Sequence, residues 1–277
     1  MEMIRFDKVS KEYSHNITAL KDVSFVVNKG ELVFLTGPSG AGKTTILRLV
    51  FYAEPATSGE IYVAEEEITH LGRKQVPYLR RHIGVVFQDF RLLTDRTISE
   101  NLDLILLVLG LASSERKRRC LQVLSQVGLA HRRNAFPHQL SGGEQQRIAI
   151  ARAIITDPLI LLADEPTGNL DPDTSWDIMQ TLRQINARGT TVLVATHNYD
   201  IVRRVHAKLL HIRKGKLLPL EEYPEILRRE TKGKERKIPE PDDSASRSES
   251  ILSRDYFAEL IGTEEDFQIP PPPPDAE

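Results

Sequence analysis

The run Leu32-Val33-Phe34-Leu35-Thr36 passes without a polar break into Gly37-Pro38-Ser39-Gly40-Ala41-Gly42-Lys43-Thr44. A continuous apolar stretch of this length reads as a strand buried on both faces. The octet after it fits G-x-x-x-x-G-K-[ST]. Glycines let the backbone curl so that successive N–H groups point at phosphate oxygens. The helix expected from Lys43 to about Tyr52 adds the positive end of its dipole. Lys43 is expected to reach the β- and γ-phosphates and Thr44 to offer its hydroxyl to Mg²⁺, with Thr45 beside it. A chance glycine-rich turn would lack the strand before it and the helix behind it.

Two further segments sharpen this reading. Ile160-Leu161-Leu162-Ala163-Asp164-Glu165 is an apolar strand ending in two carboxylates. Asp164 is expected to hold Mg²⁺, and Glu165 to act as general base or to orient the attacking water. Leu140-Ser141-Gly142-Gly143-Glu144-Gln145-Gln146-Arg147 places a hydroxyl and bare backbone ahead of a helix expected near Glu144. That is a second anion site in the same chain. Two such sites per chain invite two copies to sandwich ATP head to tail, as a two-fold homodimer.

The rest of the chain reads as an α/β body. Strands are expected at Met3–Val9, Ala19–Val27, Gly59–Val63, Ile83–Phe87, Leu159–Ala163 and Thr191–Ala195, with a closing hairpin over Lys208–Leu217. Helices are expected over Leu102–Leu109, over Glu115–Val127 with Ser113 or Ser114 as cap, and over Pro172–Ala187 behind Asp171. Charge is uneven: residues 1–219 carry 29 basic and 23 acidic side chains, residues 220–277 carry 8 and 16. The run Arg116-Lys117-Arg118-Arg119 has no interleaved aromatics, which favours a solvated helix face over nucleic acid. The single cysteine, Cys120, forbids an intrachain disulfide and fits a reducing compartment. It joins an apolar helix face, which argues against catalysis. No secretory signal is visible, and the longest apolar stretch, Leu102–Leu111, is about half of what a membrane helix needs.

Taken together, these motifs resemble those of the ATP-binding cassette (ABC) ATPases, over roughly residues 1–219. The resemblance implies a P-loop NTPase fold: a RecA-like α/β core, an antiparallel β subdomain, and a helical subdomain inserted at about residues 89–157. Residues 220–277 depart from the family and read as a mostly disordered tail, with a short helix at 252–261 and a polyproline end. By the same resemblance, Tyr13 stacks on adenine or is a strand-end core aromatic. Gln88 touches Mg²⁺ and the attacking water, and His197 contacts the γ-phosphate. Asp171 contributes to the D-loop or serves only as a helix cap. The nucleotide site then comprises Tyr13, Gly37, Pro38, Ser39, Gly40, Ala41, Gly42, Lys43, Thr44, Thr45, Ser141, Gly142, Gly143, Glu144 and Asp171. Glu165, His197, Gln88 and Lys43 carry catalysis, and Thr44, Gln88 and Asp164 hold the metal.

Within the family, LSGGEQQR, LADEPTGNLD and ATHNYDIV, together with Phe87-Gln88-Asp89-Phe90-Arg91-Leu92-Leu93, are most similar to the cell-division branch. That branch implies ATPase activity at the cytoplasmic face of the plasma membrane beside a permease of FtsX type. Its output is mechanical control of peptidoglycan hydrolases. Lipoprotein-release and macrolide-type exporters share much of the pattern and give the alternative function. Leu92, Leu93 and Leu102 are expected to line the permease groove, with Leu102 equally suited to the subdomain core. The tail is a candidate contact for division proteins. Soluble ABC proteins of DNA repair or translation fit less well, since this chain has neither a long coiled-coil insertion nor a second cassette.

Overall fold

A computed structural model describes residues 1–14, 17–205 and 207–219. The anticipated tail helix and polyproline end lie outside them. The chain begins with two long antiparallel strands, β1 (Glu2–Tyr13) and β2 (Ile17–Asn28), and continues with β3 (Leu32–Thr36), α1 (Lys43–Val50), β4 (Ser58–Val63) and β5 (Glu66–Glu67). Next come α2 (Val76–Arg81), β6 (Ile83–Val86), α3 (Ile98–Val108), α4 (Ser113–Gln126) and α5 (Gly142–Ile154). The closing set is β7 (Ile160–Asp164), α6 (Pro172–Ala187), β8 (Thr191–Thr196), α7 (Tyr199–Arg204), β9 (Lys208–Arg213) and β10 (Lys216–Leu217).

Among the described residues, ten strands form two sheets. One is antiparallel, in the order β2-β1-β4-β5; the other runs β10-β9-β3-β8-β7-β6 and is parallel except for β10. The central parallel strands are buried on both faces, and their side chains divide by the period of two. Val33, Leu35, Ile160, Leu162, Leu193 and Ala195 face the antiparallel sheet and α1; Phe34, Leu161, Ala163, Val192 and Val194 face the core built with α3 to α7. Two cores result, and no buried residue belongs to both. α1 sits in the first through Ile46, Leu47, Leu49 and Val50, and α5 in the second through Ile148, Ile150, Ala151 and Ile154.

The register aligns the site. Thr36 of β3 pairs with Thr196 of β8, Asp164 of β7 with Ala195 of β8, and Val86 of β6 with Ala163 of β7. The segments after β3, β6, β7 and β8 therefore leave the sheet along one edge, where ligands gather in open parallel sheets.

Several local expectations need correction. α3 starts a turn before Leu102, because Thr97 caps it: its hydroxyl accepts from Glu100 N at 3.3 Å while Glu100 Oε2 accepts from Thr97 N at 2.7 Å. α4 is capped by neither Ser113 nor Ser114. Ala112 holds the cap position in extended conformation without a side-chain bond, and both serines lie inside the first turn. Leu102 is fully buried with Leu106, Val123, Leu124 and Ile148, so it belongs to the core and not to a groove. Leu92 and Leu93 are half-buried, and Leu92 packs on the same core. α2 and α7 were not anticipated.

Arg116 pairs with Asp103 across α3 and α4 at 2.8 Å, and Arg118 and Arg119 pair with Glu115 at 2.7 and 2.9 Å. These intrachain partners fit a solvated helix face. Cys120 is buried and its thiol is pushed up to about 11 by burial, which keeps it protonated. Among the described residues, no helix is long and apolar enough to cross a membrane.

Candidate active site

The loop after β3 wraps the start of α1. Gly42 occupies the cap position at φ 114°, a conformation that a side chain rarely adopts, and Ile46 N already bonds its carbonyl at 3.0 Å. A methyl on Gly42 would also stand 2.7 Å from Leu20 and 2.9 Å from the Ala19 carbonyl. The backbone of this loop is thereby held against β2 and β9, with no side chain in the way. Lys43 follows at once; it is buried, and its Nζ donates to the carbonyls of Gly37 (2.9 Å) and Pro38 (3.2 Å). The ammonium thus lies over the loop whose N–H groups it is predicted to assist.

Glu165 joins three strand ends. It stands one residue past β7, at φ 46°, and its N–H donates to Ala195 O of β8 at 2.9 Å. Its Oε1 lies 3.4 Å from Lys43 Nζ and 2.9 Å from His197 Nδ1, and its Oε2 accepts from His197 N at 3.3 Å. The carboxylate is nearly enclosed, whereas the His197 ring is more than half open to solvent. Three of the predicted catalytic groups therefore form one contiguous cluster.

Asp164 lies half-buried beside it. Burial raises its carboxyl above the ordinary value, a hydrogen bond with Thr44 pulls the other way, and neighbouring Glu165 adds to the rise. Its Oδ1 is buried without a hydrogen-bond partner. A buried carboxylate oxygen of this kind, next to the Thr44 hydroxyl, suits a hard cation that takes oxygen ligands. Asp164 and Thr44 thus fit Mg²⁺.

Gln88 follows β6 and is exposed, with its Nε2 close to Gly168 in the loop after Glu165. Tyr13, at the end of β1, is half-buried; its hydroxyl donates to Glu54 at 2.6 Å and lies 3.4 Å from Thr45 Oγ1. Lys11 holds the other side, bonding Pro55 O at 2.7 Å and pairing with Glu54 at 3.5 Å. The tyrosine is therefore fixed beside the helix that follows the phosphate loop, and not in the sheet core. Glu54 and Lys11 were missed in the sequence, where nothing links them to Tyr13.

Ser141 to Glu144 stand elsewhere. α5 begins at Gly142, two residues earlier than expected, and packs on β6, α3, α4 and α6, while α1 packs on β7 and β8. Ser141 caps α5: its Oγ accepts from Glu144 N at 3.3 Å, and Glu144 Oε2 accepts from Ser141 N at 2.9 Å. The Glu144 carboxylate is also 3.3 Å from Arg132, and these bonds hold it below the usual carboxylate range. Ser141 and Gly142 remain exposed at the helix start. Gly143 lies against α6 so closely that a Cβ would overlap the Thr174 methyl. Asp171 caps α6, accepting from Thr174 N at 2.9 Å.

Arg152 was also missed. It is a buried cation in the last turn of α5, and its guanidinium donates to the carbonyls of Phe90 (2.9 Å) and Arg91. Asn101 is likewise buried and binds Leu93, Arg96 and Thr97 of the same connection.

Comparison with known proteins places this arrangement. Residues 20–168 match the ABC transporter family. The cell division ATP-binding protein FtsE of Bacillus subtilis is 47% identical over 213 residues, which cover 77% of this chain and 93% of that protein. FtsE of Mycobacterium tuberculosis is 48% identical over 217 residues (78% and 94%), and FtsE of Escherichia coli K12 45% over 215 (78% and 97%). Among solved structures, a dimeric bacterial ABC transporter cassette superposes with a TM-score of 0.72 at 37% identity, over 78% of this chain and 97% of that one. A dimeric ATP-binding cassette in a post-hydrolysis state, bound to ADP and Pi, gives 0.71 at 36% identity over the same shares.

Proposed function

Because this chain belongs to the ABC transporter ATPases, in the group of the cell-division proteins FtsE, we propose that it drives a membrane partner in cell division by ATP-dependent closure of a homodimer. The observation that carries the proposal is the cluster Lys43–Glu165–His197, set at the ends of β3, β7 and β8.

ATP enters with its triphosphate along the N–H groups of Gly40 to Thr45, against the start of α1. Lys43 meets the β- and γ-phosphates, and Tyr13 packs on the base. Asp164, Thr44 and Gln88 would hold Mg²⁺, which would supply charge neutralisation at the phosphates. Glu165 accepts the proton of the attacking water, and Lys43 and His197 beside it keep the carboxylate oriented. Gln88 reaches the same water from the neighbouring strand end. His197, on the solvent side of Glu165, contacts the γ-phosphate.

Ser141 and Gly142 open α5, which packs on β6, α3, α4 and α6, whereas the phosphate loop opens α1 on β7 and β8, so the helix start they expose serves the ATP of a second copy. Two ATPs then bridge two copies, and hydrolysis breaks the bridge. Closure moves the helical region about residues 89–157, on which an FtsX-type permease docks near Leu92 and Leu93. The partner carries the motion across the membrane to regulate peptidoglycan hydrolases.

The test is to isolate Glu165→Gln from native membranes in ATP and identify the co-purifying membrane protein. A four-span permease with division or wall-hydrolase proteins is expected. A permease accompanied by a lipoprotein carrier or periplasmic adaptor would overturn the division reading and make the system an exporter.

A further inference from the structure

The connection from Gln88 into the helical region is tied to α5 from within. Arg152 lies in the last turn of α5, where the negative end of the helix dipole favours a cation. It is buried, and it directs its guanidinium at two successive carbonyls, Phe90 O at 2.9 Å and Arg91 O. A fork of rigid donors matches two neighbouring carbonyls in a way that a lysine cannot. Arg91 is held at φ 50°, with its own guanidinium 4.0 Å over the Phe87 ring. The Phe90 ring reaches back to the other end of α5, where its Cζ lies 3.9 Å from the position of a Cβ on Gly142. The two residues after Gln88-Asp89 are thus fastened to both ends of the helix that begins at Ser141.

From this geometry we infer that Arg152 is a positioning residue that couples Gln88 to the Ser141–Gly143 helix start. The inference rests on the proposed roles of Gln88 in the chain's own site and of Ser141 in the partner's. A displacement of α5 caused by contact with the second ATP is carried by Arg152 to the Phe90 and Arg91 carbonyls, and so to Gln88 two residues away. The side chain touches neither nucleotide. Its work is to make engagement of one site set the water-facing amide of the other.

The test uses the full chain and four variants: Arg152→Met, Arg152→Lys, Gln88→Ala and the double variant Arg152→Met/Gln88→Ala. Arg152→Met keeps the volume and leaves no buried charge; retained monomer binding of a fluorescent ATP analogue establishes that it folds. Its kcat is expected to fall by roughly ten- to a hundredfold, the scale of a misplaced reacting group, with KM nearly unchanged. Arg152→Lys is expected to recover part of that loss. The double variant is expected to be no slower than Gln88→Ala alone. Multiplying losses would overturn the coupling, as would a wild-type rate in Arg152→Met. So would a Met variant that no longer binds the analogue, since Arg152 would then be a general scaffold residue. Failure of the ATPase reading itself is distinguishable, because it would show as wild-type turnover in Glu165→Gln with the Arg152 variants unaltered.

Discussion

Glu165 Oε1 lies 2.9 Å from His197 Nδ1, so the first residue after β7 is pinned to the first residue after the neighbouring β8. The backbone N–H of His197 repeats the link through Oε2 at 3.3 Å. Both oxygens of a nearly enclosed carboxylate are therefore aimed before any substrate arrives, which is the geometry an oriented base needs.

Glu165→Gln keeps the volume and one acceptor oxygen but cannot take a proton. ATP binding should persist, turnover should fall by about 10²- to 10⁴-fold, and an ATP-bound dimer should accumulate. Phosphate release and size-exclusion chromatography with ATP read both; a rate near wild type would remove Glu165 as the base.

Ser141→Arg places a long cation at a helix start that is exposed among the described residues. The dimer should fail to form in ATP while the monomer still binds a fluorescent nucleotide. Ser141→Ala isolates the cap, whose loss costs about 1 kcal/mol of stability. If the arginine variant lost nucleotide binding as a monomer, Ser141 would belong to the chain's own site.

Gly143→Ala should lower the melting midpoint, because its methyl meets the Thr174 methyl directly. Overpacking of this kind costs about 1–3 kcal/mol. Thr174→Ser removes the obstructing carbon, so the double variant should recover most of the loss. Equal melting curves for Gly143→Ala and the wild type would mean that α5 and α6 separate freely.

Asp164 predicts a proton linked to the metal. Its carboxyl is raised above 3.8 chiefly by burial. In the free protein, the stability gained from the protonated form is fully present below the unfolded value and is lost as pH rises through the folded one. Mg²⁺ reverses the preference, because it needs the carboxylate. Mg–ATP affinity should therefore weaken as pH falls towards the carboxylate range, with protons released on binding. Calorimetry in buffers of different ionisation enthalpy measures that release, and Asp164→Asn should abolish it; proton release equal in both proteins would assign it to another group.

The sequence carried the strand-end groups well, since each follows an apolar run whose end is visible: Lys43 after Leu32–Thr36, Glu165 after Ile160–Asp164, and His197 after Thr191–Thr196. It carried the internal bracing poorly. Arg152 reads as one more charge on a helix until the fold closes over it and aims it at Phe90 and Arg91. Asn101 was hidden for a different reason. The apolar run that marks α3 in the sequence begins at Leu102, whereas the Thr97–Glu100 capping box starts the helix at Ile98 and so encloses Asn101. Leu102 illustrates the limit of apolar periodicity: a leucine that suits a groove suits a core equally, and only burial decides between them.

The two cores on opposite faces of the six-stranded sheet share no buried side chain. α1, which carries the proposed phosphate site, is rooted in one, and α5, whose start is the proposed contact with a second copy, is rooted in the other. The sheet thereby works as a partition between a chassis and a rider. Under the proposed function, tilting the rider would leave the packing beneath the phosphate loop undisturbed, so that a changed grip on a second copy would reach the chain's own site through the Gln88 connection alone.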